Sequence, residues 1–400
     1  MVISFLKKRT HFTKIGQLGI VFLIVALALS FVDTVWAVYI YEFVKKDVWV
    51  GLISSLFTAV SLISYIYLIP WIEKSNNIKT YKISLTLIAL CYFLFIFIRS
   101  LWLIIVLGII LSVLSVLRVD SYGMVVRNSS KKEELSANEG FIYTLMNIGW
   151  LIGPLIAGFL ADKWGIPIIF FLSGIFMLLS LVLLILMRIR SKDKKIKEVD
   201  GNFILNLRDF FKKKELVKTY IISGSTSIWW ALIFIYIPVH MIETGLRFKE
   251  IAFFLFAVIV PLILFEYYFS KKANKIGFKR LFIIGHIIMG LCLVVSFFMP
   301  NILFILIVLI CGSLGIAMVE ATTEAYFFLI APKKKTEKYY SIYNTTLDVF
   351  SIMGKLLIAG FLLILPFKYA FLLLAVIFAM FVIMACSLKE DFRVTNLNTK

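Results

Sequence analysis

Twelve stretches of this chain are apolar for long enough to cross a lipid bilayer, and nothing else in the sequence restricts its fold as much. They cover residues 16–41, 48–72, 80–99, 101–127, 137–161, 165–189, 218–241, 249–270, 279–299, 301–331, 339–365 and 367–388. A helix needs about 20 residues to traverse about 30 Å of hydrocarbon. Inside hydrocarbon only helices and closed barrels satisfy their own backbone. Runs of this length read as helices, so the expected fold class is an all-α membrane protein with twelve transmembrane helices. The chain is 62% hydrophobic and 16% charged over 400 residues; a soluble domain of this length would carry far more charge. The first run is too long, and has too many successors, to be only a signal peptide.

The hexapeptide LIAGFL occurs twice, at 155–160 and 357–362, an offset of 202 residues. Other echoes fall near the same offset. Val119-Asp120 matches Val319-Glu320, and Trp36-Ala37 matches Trp230-Ala231. The loop SSKKEEL at 129–135 matches APKKKTEK at 331–338. The widest polar gap, RSKDKKIKEVDGNFILNLRDFFKKKE at 190–215, separates the sixth span from the seventh. The chain is therefore expected as an N-terminal six-helix bundle over 1–190, a cytoplasmic linker over 191–215 and a C-terminal six-helix bundle over 216–400. The two bundles would be pseudo-symmetric. Within the linker, Phe203–Phe211 reads as a short amphipathic helix lying on the membrane. Short connections between spans make sequential helices antiparallel neighbours. Paired repeats of this kind belong mostly to transporters, with the binding site between the repeats at the bilayer midplane.

The net charge of +19 is a topology signal. Sorted by alternate loops, Lys and Arg divide about 33 against 7, with Arg118 and Lys355 inside spans. The positive-inside rule places the rich side and both termini in the cytoplasm, and twelve spans are an even number, as this requires. The basic loops meet anionic headgroups, so the charge does not imply nucleic acid. The expected location is the cell membrane. Cys91, Cys292, Cys311 and Cys386 lie in or at the ends of spans without metal-ligand spacing and read as packing residues. No nucleotide loop, nucleophile–base set or metal constellation is present. No enzyme activity, cofactor or metal is expected.

The fifth span reads Gly140-x8-Gly149-x3-Gly153-Pro154-x2-Ala157-Gly158. Gly149, Gly153 and Ala157 are spaced by four and put small residues on one face, which lets a neighbouring backbone approach. Pro154 removes a helical hydrogen bond and bends the helix. This stretch resembles the antiporter motif of the major facilitator superfamily, G-x8-G-x3-G-P-x2-G-G, with Ala157 in place of one glycine. Together with the twelve spans in two halves, the resemblance covers essentially the whole chain and is nearest to the twelve-span drug/H+ antiporters. The superfamily also carries a charged loop after its second span. Here its counterpart is Glu73-Lys74 without the glycines. The second-half loop Asn274-Lys275-Ile276-Gly277-Phe278-Lys279-Arg280 is more similar, with Asn274 where Asp is usual. The resemblance makes Glu73, Lys74, Asn274, Lys275, Gly277, Lys279 and Arg280 candidate gating residues, against the plain alternative of generic loop charge.

Charges inside spans cost several kcal/mol unless they face protein or water. Asp33 lies near the middle of the first span, and Arg118 and Asp120 lie on the fourth. The resemblance implies a proton-coupling role for the first-helix acid. Arg118 and Asp120 would be its partners in proton coupling, with Arg118 holding a partner carboxylate, such as Asp33, and releasing it on protonation. In the second half, Glu320 and Glu324 share one face of the tenth span, Asp348 and Lys355 share one face of the eleventh, and Glu266 lies on the eighth. Such a set reads either as an anionic cavity suited to organic cations or as an ion-pair network, and the two are compatible. Because spans one and seven line the pathway in the superfamily, Trp36, Tyr39, Trp229, Trp230 and Tyr236 are candidate cation–π contacts. His286 reads as a helix-packing residue.

The expected function is proton-coupled efflux, by antiport, of small lipophilic or cationic molecules. The alternatives are a proton-coupled symporter of a sugar or other metabolite, a lipid exporter, or a non-transporting receptor of the same fold. Expected partners are the small-molecule substrate, protons and the bilayer, with the protein acting as a monomer.

Overall fold

Each apolar run folds as a helix, because only that conformation closes its backbone hydrogen bonds without help from neighbours. The computed structural model describes residues 14–130, 134–187, 203–332 and 335–389. In chain order, spans one to six are Lys14–Val44, Asp47–Lys74, Asn77–Phe95, Leu101–Ser129, Leu135–Trp164 and Ile166–Leu186. The linker helix is Phe203–Phe211. Spans seven to twelve are Lys214–Glu243, Phe248–Ile276, Phe278–Phe298, Ile302–Ile330, Thr336–Leu362 and Lys368–Cys386. Twelve helices are long and apolar enough to cross a membrane. The basic residues at 1–13, 131–133, 188–202, 333–334 and 390–400 lie outside the described residues.

Local chemistry sets the helix ends. Asn76 and Asn301 cap spans three and ten, accepting from the backbone N–H of Lys79 and Leu303 at 2.9 Å each; these bonds satisfy otherwise orphaned donors. Spans five and six turn at Gly165 (φ +80°), and spans eight and nine turn at Gly277 (φ +95°). Both are left-handed backbone positions that favour glycine. Span seven is α-helical to Ala231, widens into a π-helical turn over Leu232–Tyr236 and resumes at Ile237. Pro238 opens the last segment. It has no N–H to give the preceding turn, and a π turn accommodates that loss.

The fold comprises two compact units. The first contains the described residues up to Phe43, those from Val60 to Met187, and Arg247 to Phe253. The second contains Val44 to Ala59, the described residues up to Leu246 from the linker helix, and those from Phe254 onward. The opening turns of spans two and eight therefore belong to a different unit from the rest of their helices. Within the first unit span three packs on spans four and six; within the second, span nine packs on spans ten and twelve. The two pairings stand at equivalent places in the repeat. His286 is wholly buried and joins spans nine and seven, with Nε2 2.8 Å from Ser225 Oγ and Nδ1 2.6 Å from its own-helix Phe282 oxygen.

The linker helix is held by protein on one face. Phe210 is fully buried, with its ring centroid 5.6 Å from that of Tyr339 and 6.0 Å from that of Tyr220. Asp209 accepts from Lys335 Nζ at 2.5 Å and from Tyr339 Oη at 2.6 Å. Phe211 remains exposed. The bond from Lys335, then that from Tyr339, lowers the Asp209 carboxyl from its ordinary 3.8 to about 2. A depressed carboxyl contributes to docking above its unfolded value and loses that contribution as pH falls through the folded one. The contact is therefore constant from pH 7 to 5 and fails only between about pH 4 and 2. Asp209→Asn is expected to raise amide exchange over 203–211 at pH 7, read by hydrogen–deuterium exchange; unchanged protection would remove Asp209 from the contact.

Candidate functional site

In the first unit, span one is almost entirely enclosed. Among residues 15–41, Asp33 alone is exposed. Thr34, one position on, is buried and turns its hydroxyl back to Ser30 O at 2.6 Å. Trp36 and Tyr39 continue the helix into an aromatic cluster with Phe95 and Phe170. The centroid of Trp36 lies 5.4 Å from that of Phe95 and that of Tyr39 lies 4.9 Å from that of Phe170. Tyr39 Oη donates to Phe95 O at 3.2 Å. This pair thus packs span one against spans three and six. On span four, Arg118 is buried at 8% exposure and its Nε has no hydrogen-bond partner. Asp120, two residues on, is half-buried.

The small-residue face of span five is occupied at three positions. A Cβ at Gly149 would stand 2.9 Å from Ala26 Cβ and 3.1 Å from Leu27 N on span one. One at Gly153 would stand 1.8 Å from Ser30 Oγ. Ser30 Oγ in turn donates to Gly149 O at 3.2 Å. Gly158 faces span eight instead, where a Cβ would be 2.2 Å from Ala252 Cβ and 2.7 Å from Phe248 O. Ala157 is fully buried and Pro154 is buried, whereas nothing lies within 4 Å of the Cβ position at Gly140. Beyond Gly158, Arg247 pairs with Asp162 at 3.2 Å.

In the second unit, two carboxylates of span ten each meet an aromatic donor. Trp230 Nε1 donates to Glu320 Oε2 at 3.1 Å, and Tyr340 Oη donates to Glu324 Oε1 at 2.5 Å. Both glutamates are exposed on the unit, one turn apart. Glu266 lies within electrostatic range of Glu320. Tyr340 stacks on Phe328 at 5.1 Å between centroids, and Tyr343 stacks on Phe327 at 4.5 Å. The result is an acidic stripe beside a wall of near-parallel rings, chemistry suited to a cation. Trp229, by contrast, is fully buried, filling the space above Gly312 and meeting Phe378 at 6.1 Å. Tyr236 is also fully buried and donates to Lys355 O at 2.6 Å.

Lys355 is 9% exposed, and its Nζ donates to Thr58 Oγ1 at 2.6 Å. Ser54 O accepts from it at 3.5 Å. Asp348 is half-buried two turns earlier, within electrostatic range of Lys355. Gly51, on the same stripe of span two, leaves room for Tyr236 Oη, which a Cβ would approach to 1.9 Å. Thr58→Val keeps the shape and deletes one acceptor of a buried ammonium. It is expected to cost about 1–3 kcal/mol, read as a lower melting temperature of the purified protein.

Of the loop candidates, Lys275 and Arg280 are exposed and Lys279 is half-buried, around the Gly277 turn. The side chains of Glu73, Lys74 and Asn274 lie outside the described residues. An apolar cavity of about 550 Å³ opens among Ile96, Leu160, Trp164, Pro167, Ile168 and Phe171. It holds none of the charged candidates, and the indole N–H of Trp164 is the one side-chain polar group among these residues. No group of His, Cys, Asp and Glu able to hold a metal occurs among the described residues.

Sequence reasoning missed Tyr340, Tyr343, Thr58 and the tyrosines near Arg118. The spacing of Tyr340 and Tyr343, one helical turn apart, was the available signal for the ring wall. Thr58 gave none, because only folding brings span two to span eleven.

Twelve apolar helices with carboxylates, a guanidinium and an ammonium set among them define a polytopic membrane protein with internal polar sites. The model of the Major Facilitator Superfamily matches residues 18–272 and 252–397, and the chain belongs to that superfamily. It is 21% identical over 235 residues to an uncharacterized MFS-type transporter of Methanocaldococcus jannaschii, covering 58% of this chain. The chain spans about 61% of the length of that curated relative. Among solved structures, a POT family transporter in complex with a thioalcohol-conjugated peptide has a TM-score of 0.77 at 14% identity, covering 93% of this chain and 95% of that one. A bacterial homolog of the human lysosomal transporter Spinster, inward-facing and occupied, has a TM-score of 0.73 at 12% identity, covering 93% and 96%. At these identities the likeness is one of fold.

Proposed function

We propose that the chain is a secondary transporter of the cell membrane, with both termini cytoplasmic, that exports small lipophilic or cationic molecules in exchange for protons by alternating access. One observation carries this reading: Asp33 is the single exposed residue in 27 consecutive positions of span one (15–41). A carboxylate in an apolar span persists where it meets water or protein, and an accessible one is able to trade a proton for a cation. Arg118 and Asp120 on span four are its proposed partners. Glu320, Glu324, Trp230 and the Tyr340 wall are the proposed cation contacts, and the Lys355–Thr58 bond supports the surrounding helices. Gly149, Gly153 and Gly158 supply the close helix contacts on which an antiporter-type fifth span depends.

The test is proton flux in proteoliposomes at zero imposed gradient, driven by a panel of lipophilic amines. Antiport moves protons opposite to the amine. Flux in the same direction would replace the reading with symport, and silence across the panel would leave the receptor alternative.

A further inference from the structure

The guanidinium of Arg118 is a charged group buried in a membrane span. It is 8% exposed, and its Nε is buried with no hydrogen-bond partner. A buried donor without an acceptor costs free energy, and charged groups in a membrane span mark ligand or ion positions. Its surroundings come from three helices of one unit. Tyr122 lies four residues along span four, on the same face. Tyr81 and Tyr92 come from span three. All three are within electrostatic range of Arg118. The ring of Phe22 on span one closes the frame, with centroids 5.7 Å from Tyr81 and 4.4 Å from Tyr122. Tyr81 Oη is also buried without a partner. Two orphaned donor groups thus occur in one aromatic frame.

We infer that Arg118 and Tyr81 form a subsite for the carboxylate of an amphoteric substrate, a small molecule that bears both an amine and a carboxylate. A carboxylate presents two oxygens to the Nε–Nη edge of a guanidinium and forms two parallel charge-assisted bonds. The charge balance favours a monoanion over a phosphate. Among the described residues Arg118 is the one cation acting on these tyrosines, while Asp33 acts on Tyr92 and Glu139 on Tyr122. Asp33 and Arg118 both address Tyr92, so one small molecule with its amine toward Asp33 would bring its carboxylate toward Arg118. This deepens the proposed function, on which it rests for the amine.

The experiment is calorimetric titration of the full chain in lipid nanodiscs with three probes: benzylamine, benzoate and 4-(aminomethyl)benzoate. The amphoteric probe is expected to bind wild type at least about tenfold more tightly than benzylamine. Arg118→Gln should abolish that advantage, so that benzylamine and the amphoteric probe bind the variant equally. Arg118→Lys keeps the charge and loses the two-point fork, so it should retain only part. Equal binding of benzylamine and the amphoteric probe would overturn the subsite and leave the cation reading standing. Benzoate binding that needs Arg118, with no benzylamine binding, would support the subsite and sink the cation reading. Binding of none of the three, or an advantage that survives in Arg118→Gln, would overturn the inference.

Discussion

Gly149→Leu is expected to lower the melting temperature sharply, whereas Gly140→Leu should leave it near the wild-type value. Both glycines belong to the same sequence motif, so the difference tests what the motif does physically. At Gly149 the added carbon meets Ala26 Cβ at 2.9 Å and the backbone of Leu27 and Leu23 at 3.1 and 3.2 Å. A backbone cannot rotate aside as a side chain does, so spans one and five must separate. Overpacking of this sort costs about 1–3 kcal/mol or more. Gly158→Leu should behave in the same way, against Phe248 O and Ala252 on span eight. Gly140 has open space at its Cβ position. Gly153→Ala is intermediate, because the atom it meets first is the hydroxyl of Ser30, which is able to turn away at the loss of its bond to Gly149 O. Thermal unfolding of the four purified variants checks the series. Equal melting temperatures for Gly140→Leu and Gly149→Leu would show that the close approach of spans one and five contributes little to stability.

The spans were legible because burial in lipid demands long unbroken apolarity, a signal that no local detail obscures. The small face of span five was legible for a related reason: close helix contact requires missing side chains, and missing side chains show in a sequence. Which neighbour used each glycine was not legible. Gly149 and Gly153 meet span one and Gly158 meets span eight, and that assignment depends on packing between distant segments. The aromatic candidates divided on the same ground. Trp230 and Trp229 are adjacent in sequence, yet a rotation of about 100° per residue sends one to Glu320 and the other into the core against Gly312. Composition and spacing give a tryptophan's presence on a helix but not its bearing when nearly every neighbour is apolar. Polar residues in spans were the most readable candidates, since each must face something other than lipid; their partners, such as Thr58 for Lys355 and Tyr340 for Glu324, lie on other helices.

Asp33→Asn is expected to abolish the pH dependence of amine binding, an effect of larger consequence for transport than any loss of stability. If a cationic amine and a proton compete for one carboxylate, apparent affinity falls by up to about tenfold for each unit by which pH drops below the titration range of that group. The sign follows from charge: the protonated acid offers the amine no Coulomb attraction, so acidification releases it. Asparagine keeps the shape and has no proton to exchange, so affinity becomes weak and flat with pH, and amine-driven proton flux stops. The fold should be unaffected, since Asp33 is exposed on its unit and loss of a charge from a span relieves a cost. Glu320→Gln separates coupling from binding. It weakens the acceptor of Trp230 Nε1 and should lower amine affinity at every pH while leaving the slope intact. A slope that persists in Asp33→Asn and disappears in Glu320→Gln would move proton coupling from span one to span ten, where the second carboxylate set is already in place.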